Sequence, residues 1–286
     1  MENSQYRKKV TANGLAEKKL AGQKITMLTA YDHPTAKLLD DVGVDVILVG
    51  DSLGMVVLGY ESTLPVTMQD MLHHCKAVSR GARNSLLVGD MPFLSYQVSI
   101  PEAVQNAGRL MAEGGMGAVK LEGGRERLET IKAIVAAGIP VMGHIGLTPQ
   151  SVHKFGGYKP RGKSATEAAR IVEDALLLQE GGCFALVLES IPTEVAELIS
   201  HRLDIPVIGI GAGSSCDGQV LVIHDALGLT DTYQPKFTKR FVDSSALLRQ
   251  GVRNYLDDVQ NGLFPTENHT VHMNPAEFEE FRKMVG

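Results

Sequence analysis

The feature that most constrains the fold of this chain is a series of short apolar runs that show no alternation between apolar and polar residues. They are Ile25 to Thr29; Val44 to Val49, ending at Gly50-Asp51; Ser85 to Val88, ending at Gly89-Asp90; and Ala118 to Leu121, ending at Glu122. Pro140 to Met142 follows, ending at Gly143-His144, then Phe184 to Leu188, ending at Glu189. Pro206 to Ile210 leads into Gly211-Ala212-Gly213, and Val220 to Ile223 ends at His224-Asp225. Runs of this kind suit strands buried on both faces, as in a parallel sheet.

Stretches of helical period lie between them. Thr67 opens one with Met68, Met71, Leu72, Cys75 and Val78 on a single face, stopped at Gly81. Ser99 with Glu102, and Ser164 with Glu167, have capping-box spacing, and Pro101 sits in a first turn. Leu128, Ile131, Ile134 and Val135 share a face, as do Val195, Leu198 and Ile199. A last amphipathic stretch carries Leu247, Val252, Leu256 and Val259 and stops near Gly262.

Eight strands that mostly alternate with helices over roughly 240 residues predict a (β/α)8 TIM barrel with a C-terminal helical extension. An open doubly wound sheet is the competing architecture. The barrel is preferred because polar residues follow nearly every run rather than gathering at one switch point. The expected organisation is an N-terminal arm over 1–20, one barrel domain over 21–262 and a polar tail over 263–286.

Composition narrows the function classes. A formal charge of -5 over 286 residues argues against a broad phosphate-binding face for nucleic acid. Three cysteines, Cys75, Cys183 and Cys216, are too few and too scattered for a disulfide framework or a structural zinc site. The polar N-terminus with Arg7-Lys8-Lys9 does not read as a signal peptide, and the apolar runs are far short of a membrane span. A cytoplasmic location is expected, with no membrane partner.

In a parallel barrel the C-terminal ends of all strands open on one face, so residues distant in sequence converge there. That gathers Asp51, Asp90, Glu122, His144 and Glu189 at one mouth, with Lys120 at the end of the fourth run. An acid after a strand is often only a helix cap. Four carboxylates at neighbouring strand ends would repel one another, so a cation or a protonated member is expected. An all-oxygen ligand set favours a hard ion such as Mg²⁺. Lys120 and Glu122 stand two apart on a strand and so point to the same side. A metal, a lysine and a spare carboxylate suit a small acid substrate that loses a proton.

Other features carry less. Gly209-Ile210-Gly211-Ala212-Gly213 lacks the spacing of a dinucleotide fingerprint, and a close-approach turn explains it better than a phosphate loop. Phe155 to Lys163 lies in a long basic connection that suits a lid or an anionic co-substrate. His73-His74-Cys75 reads as a core cysteine with flanking histidines, and His269 and His272 as incidental.

Several blocks then resemble one family. Val49-Gly50-Asp51-Ser52-Leu53-Gly54-Met55, Ser62 to Thr67, Val119-Lys120-Leu121-Glu122-Gly123-Gly124, Gly143 to Ser151, Phe155 to Tyr158 and Ile205 to Gly213 are similar to the ketopantoate hydroxymethyltransferases. The resemblance runs in register from about Ile25 to Pro265. It implies a barrel of the phosphoenolpyruvate/pyruvate superfamily working as a homodecamer, with one Mg²⁺ per subunit. It also implies transfer of a one-carbon unit from 5,10-methylenetetrahydrofolate to 3-methyl-2-oxobutanoate, giving 2-dehydropantoate for pantothenate synthesis. By position, Asp51 and Asp90 would bind the metal, with Glu122 completing that site through water. Asp51, Ser52, Asp90 and Lys120 would contact the keto acid, His144 would lie beside it, and Glu189 would be the proton acceptor. The basic loop through Lys163 could face the folate glutamate tail. Ser190 inherits no role, nor do residues 273–286.

Two other readings compete. A C–C lyase or phosphonomutase of the same superfamily uses a cysteine after a strand, and neither Cys183 nor Cys216 is placed for that. A non-catalytic keto-acid-binding barrel would keep the chelating carboxylates but not need Glu189.

Overall fold

The computed structural model describes residues 7–230 and 235–286, so the first six residues of the arm lie outside it. The chain enters through α1 (Ala12–Leu20) and then runs β1 (Ile25–Thr29), α2 (His33–Val42), β2 (Val46–Val49), a short α3 (Leu53–Val56), α4 (Met68–Gly81) and β3 (Leu86–Asp90). It continues through α5 (Ile100–Ala112), β4 (Ala118–Glu122), α6 (Leu128–Ala136), β5 (Val141–Gly146), a short α7 (Val152–Phe155) and α8 (Ala165–Glu180). The last part holds β6 (Ala185–Glu189), α9 (Thr193–Arg202), β7 (Val207–Ile210), β8 (Gly218–Leu221), a short α10 (Ile223–Leu227), α11 (Ser244–Gln260) and α12 (Pro275–Val285). Among the described residues the eight strands are all parallel, and β8 returns to pair with β1, closing the (β/α)8 barrel.

Strand parity explains where the site lies. Ile25, Met27, Val46, Leu48, Leu86, Val88, Ala118, Met142, Ala185, Val187, Ile208 and Val220 form one buried cluster inside the barrel. The opposite faces of the strands pack against the helices in a second cluster. Continuing the interior parity by two residues at a time reaches Asp90, Lys120, Glu122, His144 and Glu189, so the polar residues form the top layer of a filled interior.

The opposite end is closed by α1. Its Leu15 is buried with the interior cluster, and its lysines are tied down. Lys18 Nζ meets Asp45 at 2.6 Å. Lys19 Nζ meets Asp217 at 2.8 Å and donates to the carbonyls of Ser200 and Ile205.

Some boundaries differ from those the sequence suggests. The last strand begins at Gly218, two residues before the apolar run, because a Cβ there would lie 2.4 Å from the Ile25 carbonyl oxygen. Only glycine lets β8 approach β1 this closely. Ile223 instead starts α10, its N–H donating to Thr29 Oγ1 at 2.9 Å. β5 extends to Gly146 and so contains His144. Seven residues without a helix join β7 to β8. Within that connection Gly213 takes φ +83, with Thr193 Oγ1 2.1 Å from where a Cβ would stand, so the glycine-rich segment is a close-approach turn. α2 was not signalled by a clean apolar stripe, but it has ordinary ends: Asp32 caps it, Pro34 lies in its first turn and Gly43 closes it with φ 100.

α11 and α12 leave much of their apolar surface open. Leu247, Leu248, Val252, Tyr255 and Leu256 on α11, and Phe278, Phe281 and Met284 on α12, are all exposed. No described helix is long and apolar enough to cross a membrane.

Candidate active site

Each site residue is placed by the end of a different strand. Asp51 and Ser52 follow β2, Asp90 ends β3, Lys120 and Glu122 lie on β4, His144 on β5, and Glu189 ends β6. Pairing fixes their neighbours: Asp90 is the register partner of Lys120, Glu122 of His144, and Gly146 of Glu189. The sequence-selected residues therefore do converge on one mouth.

Asp51, Asp90, Lys120, Glu122 and His144 are each less than a tenth exposed. Lys120 Nζ lies 2.9 Å from Asp90 Oδ1 and 3.3 Å from His144 Nδ1. The Asp51 N–H donates to Asp90 Oδ2 at 3.3 Å, bringing the two aspartates together. His144 bridges two carboxylates, with Nδ1 3.5 Å from Glu122 Oε1 and Nε2 3.1 Å from Glu189 Oε2. Ser52 Oγ hydrogen-bonds the Tyr31 hydroxyl at 2.8 Å.

The electrostatics follow from burial and charge crowding. Burial pushes the Asp51 carboxyl well up, and Asp90 and Glu122 add repulsion that Lys120 and Gln150 only partly offset. Asp90 is raised too, burial outweighing the attraction of Lys120. Burial also disfavours the Lys120 cation, but the surrounding charges of Asp90, Glu122 and Asp51 raise its pKa. Burial opposes ionisation of Glu122 as well, yet His144, Lys120 and the Gln150 N–H hold its carboxyl below the usual range. Burial and Lys120 disfavour the His144 cation, but hydrogen bonds and attraction from Glu122 and Glu189 raise it to about 9. The mouth thus crowds carboxyl groups together, and burial and mutual repulsion disfavour the ionised forms of Asp51 and Asp90.

That is the condition an added cation relieves. Asp90 Oδ1 is buried, and although Lys120 stands beside it, no directed hydrogen bond reaches it. Among the described residues no group of three or more His, Cys, Asp or Glu side chains is arranged to hold a metal ion by itself. Mg²⁺ retains water and uses one or two carboxylates, so a pair such as Asp51 and Asp90 fits it better than a fully protein-ligated ion.

Sequence reasoning missed the polar groups behind these carboxylates. Gln150 and Tyr96 are buried, and Gln150 Nε2 donates to Asp51 Oδ2 at 3.0 Å. The Gln150 N–H donates to Glu122 Oε2 at 3.0 Å. The signal available was a glutamine directly after Thr148-Pro149 at a strand end. The long basic connection is anchored by Arg161, which stacks on Phe155 at 4.2 Å and pairs with Glu167. Its backbone N–H also donates to the Ser190 carbonyl at 2.9 Å. Ser190 itself has φ 48, an unusual conformation for a residue with a side chain, directly after Glu189. Tyr158 on the same connection is half exposed, and its phenol is raised first by burial and then by the charges of Asp51, Glu122 and Glu189.

Residues 9–267 match the family model described as ketopantoate hydroxymethyltransferase. A 3-methyl-2-oxobutanoate hydroxymethyltransferase of Syntrophus aciditrophicus is 56% identical over 263 residues, covering 92% of this chain and 97% of that protein. One from Acetivibrio thermocellus is 55% identical over 276 residues, covering 96% and 98%. Among solved structures, 2,3-dimethylmalate lyase, of the PEP mutase/isocitrate lyase superfamily, superposes with a TM-score of 0.59 at 14% identity, covering 96% of this chain and 98% of that one. A phosphonopyruvate hydrolase in complex with oxalate and Mg²⁺ superposes with a TM-score of 0.59 at 13% identity, covering 96% and 97%. These two likenesses establish the shared fold. With the family model spanning nearly the whole barrel and relatives above 50% identity along most of its length, the chain belongs to the ketopantoate hydroxymethyltransferase family.

Proposed function

We propose that the chain transfers a one-carbon unit from 5,10-methylenetetrahydrofolate to 3-methyl-2-oxobutanoate, giving 2-dehydropantoate and tetrahydrofolate, as a step toward pantothenate. The observation that carries this reading is the separation of two kinds of carboxylate in one mouth. Asp51 and Asp90 lie together against Lys120, whereas Glu189 stands on the far side of His144. Relatives known as 3-methyl-2-oxobutanoate hydroxymethyltransferases support this keto acid as the acceptor.

Asp51 and Asp90 would hold Mg²⁺, with Glu122 reaching it through water. When bound, the ion would polarise the carboxylate and ketone oxygens of a 2-oxo acid. Ser52 and Lys120 orient the acid, and Lys120 offsets the negative charge that develops on the ketone oxygen. Glu189 removes the proton from C3, next to the ketone, and His144 holds that carboxylate in place. The C3 carbanion forms the new C–C bond to the folate methylene carbon as one of its two C–N bonds breaks. Water displaces the second folate nitrogen and supplies the hydroxyl, and the two nitrogens take up one proton from Glu189 and one from that water. The basic connection through Lys159 and Lys163 faces the folate glutamate tail in this reading, covering the mouth against solvent.

The exposed apolar surfaces of α11 and α12 support assembly of several copies, a homodecamer by the family resemblance. Three free thiols support a reducing, cytoplasmic setting.

The test is exchange of solvent deuterium into C3 of 3-methyl-2-oxobutanoate, followed by NMR with and without Mg²⁺. Metal-dependent exchange, followed by product formation on adding methylenetetrahydrofolate, is expected. Keto-acid binding without exchange, even with folate present, would leave only a binding barrel.

A further inference from the structure

We propose that Gln150 is a positioning residue that locks the two carboxylates Asp51 and Glu122 into one preformed cradle, with Tyr96 fixing the orientation of its amide. The proposal rests on the metal-dependent reading above.

The geometry uses every hydrogen-bonding valence of the Gln150 side chain. Nε2 donates to Asp51 Oδ2 at 3.0 Å and to the Met91 carbonyl at 2.9 Å. Oε1 accepts from the Tyr96 hydroxyl at 2.6 Å and from Gln97 Nε2 at 3.2 Å. A carbonyl can only accept, so Met91 decides which end of the amide carries nitrogen. Tyr96 Oη in turn accepts from the Glu122 N–H at 3.1 Å, and of the two acceptors its proton can reach, Gln150 Oε1 at 2.6 Å is nearer than the Glu122 carbonyl at 3.1 Å. The main chain closes the ring, since the Gln150 N–H donates to Glu122 Oε2 at 3.0 Å. An unbroken chain therefore runs from the Glu122 main chain through Tyr96 and Gln150 to the Asp51 carboxylate, and back from Gln150 to the Glu122 carboxylate.

This arrangement has a consequence that burial alone lacks. Two buried carboxylates on different strands repel each other, and each has rotamers that would separate them. Gln150 engages one oxygen of each, leaving the other oxygen of Asp51 free to face an ion. Its own segment is fixed to the opposite side of the site, because the Leu147 N–H donates to the Glu189 carbonyl at 2.9 Å. Partners that orient ligands without touching the metal commonly matter about ten- to hundredfold in affinity.

The experiment titrates the full-length chain with Mn²⁺ in the absence of keto acid, reading free and bound ion by electron paramagnetic resonance. Gln150→Met keeps the length and removes all four side-chain hydrogen bonds; Tyr96→Phe keeps the ring and removes the hydroxyl that joins Gln150 to the Glu122 main chain. Val78→Ala, which opens a cavity on the last turn of α4 at the other end of the barrel, controls for general destabilisation. Gln150→Met is expected to bind Mn²⁺ about ten- to hundredfold more weakly and to broaden the bound-ion spectrum at saturation. Tyr96→Phe should lose several-fold, and Val78→Ala should melt lower with unchanged affinity. Mn²⁺ affinity of Gln150→Met within twofold of the parent chain would overturn the proposal. If that variant does not fold, unchanged affinity and spectrum in Tyr96→Phe overturn it instead. A parent chain that binds no Mn²⁺ overturns the metal site itself, and this proposal with it.

Discussion

His144 stands between Glu189 and Glu122, with Nε2 3.1 Å from the first carboxylate and Nδ1 3.5 Å from the second. One ring on β5 thereby joins a carboxylate at the end of β4 to one at the end of β6. It keeps them apart as well, so the proposed proton acceptor Glu189 stands off the proposed metal site. The pairing register enforces this, since Glu122 is directly opposite His144.

Replacing the acceptor should therefore separate chemistry from binding. Glu189→Gln is expected to lower C3 deuterium exchange by about a thousandfold, the scale of a lost general base. Mg²⁺-dependent keto-acid binding, read by calorimetry, should change little. Asp90→Asn should weaken the binding itself. Near-normal exchange in Glu189→Gln would remove Glu189 as the base.

The charge distribution also gives the metal-free chain a pH dependence. His144 is raised from 6.5 to about 9, so its folded state holds a proton that the unfolded state releases. That contribution to stability is complete below about pH 6.5 and is lost as pH rises through about 9. Asp51 and Asp90 are raised above their unfolded value and act in the same direction at lower pH. The melting temperature of the chelator-treated chain should accordingly fall between pH 6.5 and 9, and saturating Mg²⁺ should recover part of the loss at pH 8. A flat metal-free profile over that window would contradict the charge balance described above.

An opposite dependence comes from Asp40, at the far end of α2. Its carboxylate accepts from the N–H groups of Arg83, Asn84 and Ser85 and from Ser85 Oγ, pinning the turn into β3. Burial alone would raise it, but these bonds hold it below 3.8. The stability it gives is present above about pH 3.8 and disappears as pH falls through its lower folded value. Asp40→Ala should cost about 3 kcal/mol in urea denaturation at pH 7, since several charge-assisted bonds lose their acceptor together. Asp40→Asn should blunt the acid limb of the stability curve.

The lyase alternative predicts an accessible thiol, and the structure contains none. Cys75, Cys183 and Cys216 are all buried, and burial raises each thiol, Cys75 and Cys183 to about 12. Iodoacetamide at pH 8 should label no cysteine in the native chain and all three in urea. Stoichiometric native labelling with loss of C3 exchange would reopen a cysteine mechanism.

The barrel and its mouth were legible because they depend on local pattern. A run such as Ala118 to Leu121 is apolar on both faces, and the polar residue at its end identifies the mouth without any contact being known. The boundary of β8 was not legible, because Gly218 is set by the Ile25 carbonyl across the closure of the sheet. α2 was obscured for a different reason: its buried positions include Asp40, a polar residue satisfied only by the distant turn at 83–85. Gln150 lies in a three-residue 3-10 turn, Pro149–Ser151, too short to carry a periodic pattern, so its partners after β2, on β4 and in the Tyr96 loop could be found only in three dimensions.

Gly146 connects these levels, and its substitution is the sharpest test of how the fold positions Glu189, the proposed base. It ends β5 with φ 95, and a Cβ there would lie 2.3 Å from the Glu189 carbonyl oxygen and 2.8 Å from Ile191 Cγ2. An alanine must leave a conformation it disfavours by roughly 1–2 kcal/mol and must also push away the main chain that carries Glu189. The interaction of His144 Nε2 with Glu189 Oε2 would lengthen, whereas Asp51, after β2, and Asp90, at the end of β3, would keep their places. Gly146→Ala should therefore reduce C3 exchange at least tenfold, with Mn²⁺ affinity preserved within a few-fold. Equal losses of both would mean that the β5–β6 contact supports the whole mouth rather than the base alone.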